Sequence, residues 1–134
     1  MHLIVCIDQR DGLSFCGRQL SRDAAVNAHI LEQTTGSCLW MTEDSAKRFP
    51  DADHIVIHEN CQNMAGEGDY CLAELDIEPG VADRLESVFL YNWNRSYPST
   101  VKFPRELLNM MSLEYTEDFP GNSHETITLE RYKR

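Results

Sequence analysis

The segment Leu3-Ile-Val-Cys-Ile7 is an unbroken apolar run of mostly β-prone residues. Alternation would mark a strand with one wet face. An unbroken run instead marks a strand buried on both faces, at the centre of a sheet that helices cover. A chain that opens this way must supply strands to flank the first one and helices to close over it. Gly12 and Gly17 bracket a loop, after which Ser21 can cap a helix over 22–34. Its Ala25, Val26, His29, Ile30 and Leu31 share one stripe, and Gly36 ends it. A second strand, 38–41, leads into Thr42-Glu-Asp-Ser45, where a hydroxyl cap and first-turn acids start a helix that Pro50 stops. The order strand, helix, strand, helix is that of an α/β protein.

The remaining elements follow by the same signals. Residues 54–58 read as a third strand, 59–68 as a polar connection and 69–73 as a fourth strand, and Pro79-Gly80 opens a short helix or turn that ends near Leu85. Residues 88–94 form the longest aromatic strand, whose mixed faces predict one packed and one partly open side. Residues 109–117 and 124–132 are β-prone, and Pro120-Gly-Asn122 supplies a bend between them, so the chain closes on an antiparallel hairpin. With 134 residues, 42% of them apolar, and no repeat or linker, a single domain spanning 1–134 is expected.

Charge narrows the partners. Twelve Lys and Arg against 22 Asp and Glu leave a net charge of −10, so the average field repels nucleic acid and anionic membrane surfaces, and neither is expected as a partner. Arg18, Arg22, Lys47, Arg48 and Arg95 are the cations that a local basic patch would need, and the sequence does not place them on one face. The opening apolar window is closed by Asp8, too short for a signal core or a membrane span. Five cysteines with no Cys-x-x-Cys pair argue against a disulfide framework or a thiolate zinc site, and fit reduced thiols in a cytoplasmic protein. Cys6 and Cys71 read as core residues; Cys16, in a polar loop, is the one exposed to chemistry.

Taken in order, these segments resemble dihydrofolate reductase. Leu3-Ile-Val-Cys-Ile7, Asp8-Gln-Arg-Asp-Gly12-Leu and Gly17 resemble that family's first strand and the loop after it. Leu39-Trp-Met-Thr-Glu-Asp-Ser45 is similar to its second strand and the helix start that follows. Val88-Phe-Leu-Tyr91, Phe103-Pro, Leu113-Glu-Tyr115, Asn122-Ser-His124 and Leu129-Glu-Arg-Tyr-Lys133 resemble its last three strands. The resemblance implies a dihydrofolate reductase-like mixed sheet with flanking helices. It also implies a pocket beside Val5, Asp23, Trp40 and Met41, in which Asp23 is the carboxylate facing a pterin, although the Leu-Pro-Trp segment before that acid is not kept.

The departures fall where the family holds NADPH. Gly-Arg-x-Thr, whose Arg faces the 2′-phosphate, is replaced by Thr42-Glu43-Asp44-Ser45, and the Gly-Gly turn at the pyrophosphate by Leu72-Ala73-Glu74-Leu75. Carboxylates there reverse an attraction worth about 1.5–3 kcal/mol per charged hydrogen bond. No cofactor is therefore expected. The sequence reading is a noncatalytic or repurposed member of the fold that binds a small planar ligand or a protein partner. A divergent pterin reductase is the alternative.

A second resemblance is to short proteins of anaerobic Gram-positive bacteria that carry the name ribonuclease Z. It rests on Leu39-Trp-Met41, Ser45-Ala-Lys-Arg-Phe49, Gly66-Glu-Gly-Asp-Tyr-Cys71 and Tyr91-Asn-Trp-Asn-Arg-Ser-Tyr-Pro98. The chemistry behind that name needs a His-x-His-x-Asp-His cluster for two zinc ions, and His2, His29, His54, His58 and His124 do not offer it. His54 and His58 flank a β-prone run, and four residues of strand separate them by roughly 13 Å, too far to share an ion. His29 reads as a core-edge residue. A Ser-His-Asp set can be written from Ser123, His124 and Asp118, but adjacency in sequence does not build a triad. The segment Tyr91 to Tyr97 could stack a planar ligand, form a subunit contact or simply pair across strands.

Overall fold

The computed structural model of the chain describes residues 1–134. The apolar opening run forms β1, His2–Ile7, and its environment is what the run demands: Leu3, Ile4 and Val5 are wholly buried. A small excursion follows, β2 (Gly12–Phe15) and β3 (Arg18–Gln19), and then helix α1, Ala24–Gln33. Next come β4 (Leu39–Met41), the single turn α2 (Glu43–Ala46), β5 (Ile55–Ile57), a second single turn α3 (Cys61–Met64) and β6 (Tyr70–Leu72). A 3-10 turn at Pro79–Arg84 leads to β7, Ser87–Asn92. The chain ends with β8 (Val101–Lys102), a 3-10 turn at Arg105–Leu108, and the long strands β9 (Ser112–Pro120) and β10 (Thr126–Lys133).

Seven strands make one mixed sheet in the order β5-β4-β6-β1-β7-β10-β9. The first five run parallel, and β10 turns antiparallel against β7, with Leu129 opposite Tyr91. The expected closing hairpin is β9 and β10, with an irregular step between Arg131 and Tyr132. A second, three-stranded antiparallel sheet, β3-β2-β8, stands apart from the main one. The fold is therefore the expected α/β class with a mixed sheet, in which β1 is the central strand, with three strands on either side.

Period-two alternation sends each central strand to both faces. Leu3, Val5, Ile7, Val88 and Leu90 join Leu13, Ala65, Val81, Leu85 and Phe103 on one side. Ile4, Phe89 and Tyr91 join Val26, Ile30, Leu39, Met41, Ile127 and Leu129 on the other. Each fully buried Leu, Ile or Val contributes about 1.5–3 kcal/mol of transfer free energy. Two expectations need correction. β7 has no open side, because β1 and β10 flank it and apolar groups cover both faces, leaving Tyr91 0% exposed and Trp93 4%. The cap of α1 is Asp23 rather than Ser21: Asp23 Oδ1 accepts from the Ala25 amide at 2.8 Å with its backbone extended, so the helix starts two residues later than predicted.

Candidate functional site

A cleft of about 1010 Å³ opens at the carboxyl ends of β4, β5 and β6, the edge of a parallel sheet where connecting loops leave a crevice. Thr42, Asp44, Ser45 and Arg48 come from the connection after β4, Glu59 and Asn60 from that after β5, and residues 72–76 from the end of β6. Gly17, Arg18, Gln19, Ser21 and Arg22, in the segment that approaches α1, supply the opposite wall. Four of the twenty lining residues are hydrophobic, so the cleft suits a polar ligand better than a flat apolar ring. Three of the five cations singled out from the sequence, Arg18, Arg22 and Arg48, meet here.

The two walls differ electrostatically. Arg48 donates to Glu74 at 2.5 Å and to Asp44 at 3.0 Å, and Ser45 Oγ donates to Glu74 at 2.5 Å. Burial opposes the Arg48 charge, but the facing Glu74 and the Asp44 hydrogen bond outweigh it and hold the guanidinium pKa above its ordinary value. Glu59 accepts from the Glu43 amide at 3.1 Å, placing the protein's own carboxylate at the first turn of α2. Arg18 and Arg22 are exposed and take part in no ion pair. Their charge is free for an incoming group.

Behind the Ser21 wall lies a closed hydrogen-bond network. The Asp23 carboxylate, 2% exposed, accepts from the amides of Ala25, Asn122, Ser123 and His124, and its Oδ2 lies 2.9 Å from His124 Nδ1. Burial alone would raise its pKa. The Asn122 amide, the His124 ring and the amides of Ala25 and Ser123 outweigh burial and hold it far below the ordinary carboxylate range. The packing is tight: a Cβ on Gly121 would sit 2.4 Å from the His124 carbonyl oxygen and 2.8 Å from Asp23 Oδ2. On the other side of the imidazole, Nε2 lies 3.1 Å from Ser21 Oγ and 2.9 Å from the Tyr97 hydroxyl. Trp93 stacks on the ring at 4.7 Å between centroids.

The residues proposed from sequence are spread differently. Val5 and Met41 are 0% exposed, on opposite faces of the sheet, and Trp40 is half-buried with its Nε1 donating to Asp69. None of Val5, Asp23, Trp40 and Met41 lines the cleft. Within the 91–97 segment, Tyr91, Trp93 and Tyr97 are engaged inside the molecule, with His29, His124 and Ser21. His29 also stacks on Phe119 and lies 3.3 Å from Glu117, while His54 meets Thr34 and His58 accepts from the Asn60 amide. Of the triad written from sequence, His124 is central, but Asp118 accepts from Thr128 across the hairpin and Ser123 Oγ donates to the Arg22 carbonyl. The acid and hydroxyl that flank the ring are Asp23 and Ser21, about one hundred residues away in the chain. No three His, Cys, Asp or Glu side chains are grouped to hold a metal ion, and no helix is long and apolar enough to cross a membrane.

No family model and no curated protein matches the sequence. Among solved structures it is similar to dihydrofolate reductase from Enterococcus faecalis, determined with NADP(H) and RAB-propyl. The TM-score is 0.66 at 10% identity, over 99% of this chain and 95% of that one. The fold is that of dihydrofolate reductase. At this identity the match describes the reductase-like sheet and the order of its strands, and the cleft just described lies at the carboxyl ends of that sheet's parallel strands.

Proposed function

We propose that this chain is a repurposed dihydrofolate reductase fold that binds a small anionic ligand in the cleft between Arg18, Arg22 and the end of β6, and that it does not hold NADPH as the reductases do. The observation that carries the reading is the state of the cleft's charges. The acids on the β6 side that replace the phosphate cradle are committed to the protein itself, Glu74 to Arg48 and Ser45, and Glu59 to the Glu43 amide. The cations on the other wall are uncommitted. The Enterococcus faecalis structure contains NADP(H); here a pyrophosphate approaching the end of β6 would meet a carboxylate in place of bare backbone amides. The one arginine close by, Arg48, is already bridged by two acids.

The alternative, a divergent pterin reductase anchored by Asp23, has weaker support. That carboxylate is buried, receives four backbone amides and a ring nitrogen, and has no free lone pair for a pterin. A small ligand is also better supported than a flat one, because the aromatic rings of the 91–97 segment are not among the residues that line the cleft.

Thermal unfolding with added ligand tests the proposal, since a compound at one hundred times its Kd adds about 2.7 kcal/mol of stability. Succinate and related small carboxylates at millimolar concentration raise Tm, and the rise is lost in Arg18→Ala and Arg22→Ala. NADPH and dihydrofolate leave Tm unchanged. A rise of several degrees with NADPH would overturn the reading.

A further inference from the structure

We propose that Ser21, His124 and Asp23 form a serine nucleophile relay, and that the cleft hydrolyses small esters whose acyl part carries a carboxylate. The inference rests on the reading of the cleft as a small-anion site and adds a reaction to it. Asp23 Oδ2 is 2.9 Å from His124 Nδ1, and His124 Nε2 is 3.1 Å from Ser21 Oγ, so a carboxylate, an imidazole and a hydroxyl stand in hydrogen-bonded sequence. An ionised carboxylate can only accept, which places the ring proton on Nδ1 and turns the Nε2 lone pair toward the hydroxyls. The ring cannot swing away. It is 4% exposed, stacked under Trp93 and fixed from the acid side by a carboxylate that four amides hold still.

A purely structural network would not need the serine. Tyr97 already places a hydroxyl 2.9 Å from Nε2, enough to satisfy that nitrogen. Ser21 is a second hydroxyl on the same lone pair, and it belongs to the cleft wall. The single Tyr97 proton has an alternative acceptor in Ser21 Oγ at 3.3 Å, and when it is given there the serine proton is left for Nε2. Arg22 follows Ser21 in the chain and Arg18 precedes it by three residues; both line the cleft with their charge unpaired. Positive charge there attracts the carboxylate of a substrate and favours the negative charge that builds on a carbonyl oxygen under attack.

The reaction needs only water as co-reactant. Ser21 Oγ bonds to the carbonyl carbon as its proton passes to His124 Nε2. The ester C–O bond then breaks, and the departing alcohol oxygen takes that proton. A water oxygen then bonds to the acyl carbon as its proton passes to Nε2, the bond from that carbon to Ser21 Oγ breaks with Oγ taking the proton back, and the free acid leaves. Nothing is oxidised or reduced.

The test uses the full chain with mono-4-nitrophenyl succinate, 4-nitrophenyl acetate and diisopropyl fluorophosphate. Wild type releases nitrophenolate faster than buffer and prefers the succinyl ester, and the fluorophosphate adds one phosphoryl group that peptide mapping places on Ser21. Ser21→Ala keeps the wild-type Tm and loses about 10²-fold or more of the rate, together with the phosphoryl adduct. Arg22→Ala keeps the adduct and loses the preference for the anionic ester. Equal rates in wild type and Ser21→Ala, an adduct on another residue such as Tyr97, or no turnover and no adduct would each overturn the relay. If succinate still raises Tm in both proteins while the relay fails, the ligand site stands alone; an adduct on Ser21 without ester preference overturns the substrate class.

Discussion

At the scale of single residues, Asp23 does more than begin a helix. It caps α1 and receives the amides of residues 122–124, so one carboxylate ties the helix start to the turn between β9 and β10. Because its folded pKa lies below the unfolded value of about 3.9, its contribution is complete above about pH 5 and shrinks as pH falls through about 4 and lower. Asp23→Asn keeps the shape but turns an amide NH2 toward donors. We expect it to cost about 3–5 kcal/mol in urea unfolding at pH 7, with the gap to wild type narrowing below pH 4. A gap of constant size from pH 6 to pH 3 would show that the charge is not what the clamp uses. The sequence singled out Asp23 as the acid facing a pterin, and met His124 only in a set with Ser123 and Asp118 that adjacency alone did not support. The true partners depend on how the hairpin folds back onto α1, a long-range closure that no local pattern encodes.

At the scale of elements, legibility followed length and pattern. β1, β7 and the hairpin were readable because apolar runs and alternation over five or more residues leave little choice of structure. β2, β3 and β8 were not, since strands of two to four residues within irregular connections carry no period. The same contrast sets local stability. β1 and β7 exchange hydrogen bonds along six residue pairs and are covered on both faces, whereas β5 pairs over three residues at the sheet edge and its Ile57 is 54% exposed. Hydrogen exchange at neutral pH should therefore be slowest at Ile4, Val5, Phe89 and Leu90. It should be faster by at least about tenfold at Val56 and in the small β3-β2-β8 sheet, where opening needs only local unfolding. Uniform protection across both sheets would contradict this ordering.

At the scale of the whole molecule, the central strands feed two apolar clusters, one on each face of the sheet, and neither face can be removed from β1 or β7 without the other. Leu3, Val5 and Leu90 serve one cluster while Ile4, Phe89 and Tyr91 serve the other from the same strands. The Asp23 clamp adds a polar link between the helix start and the closing turn. Such sharing predicts that the clusters lose structure together. The two tryptophans can report on this separately: Trp40 packs against the first cluster, and Trp93 lies within the second. In Trp40→Phe and Trp93→Phe, each of which leaves one reporter, urea unfolding followed by fluorescence should agree in midpoint with far-ultraviolet circular dichroism of the same variant. The slopes should be equal as well, because m reflects the surface exposed by the whole chain. Two separated transitions within either variant would mean that the clusters are independent, and that the cleft could open while the opposite face stays folded.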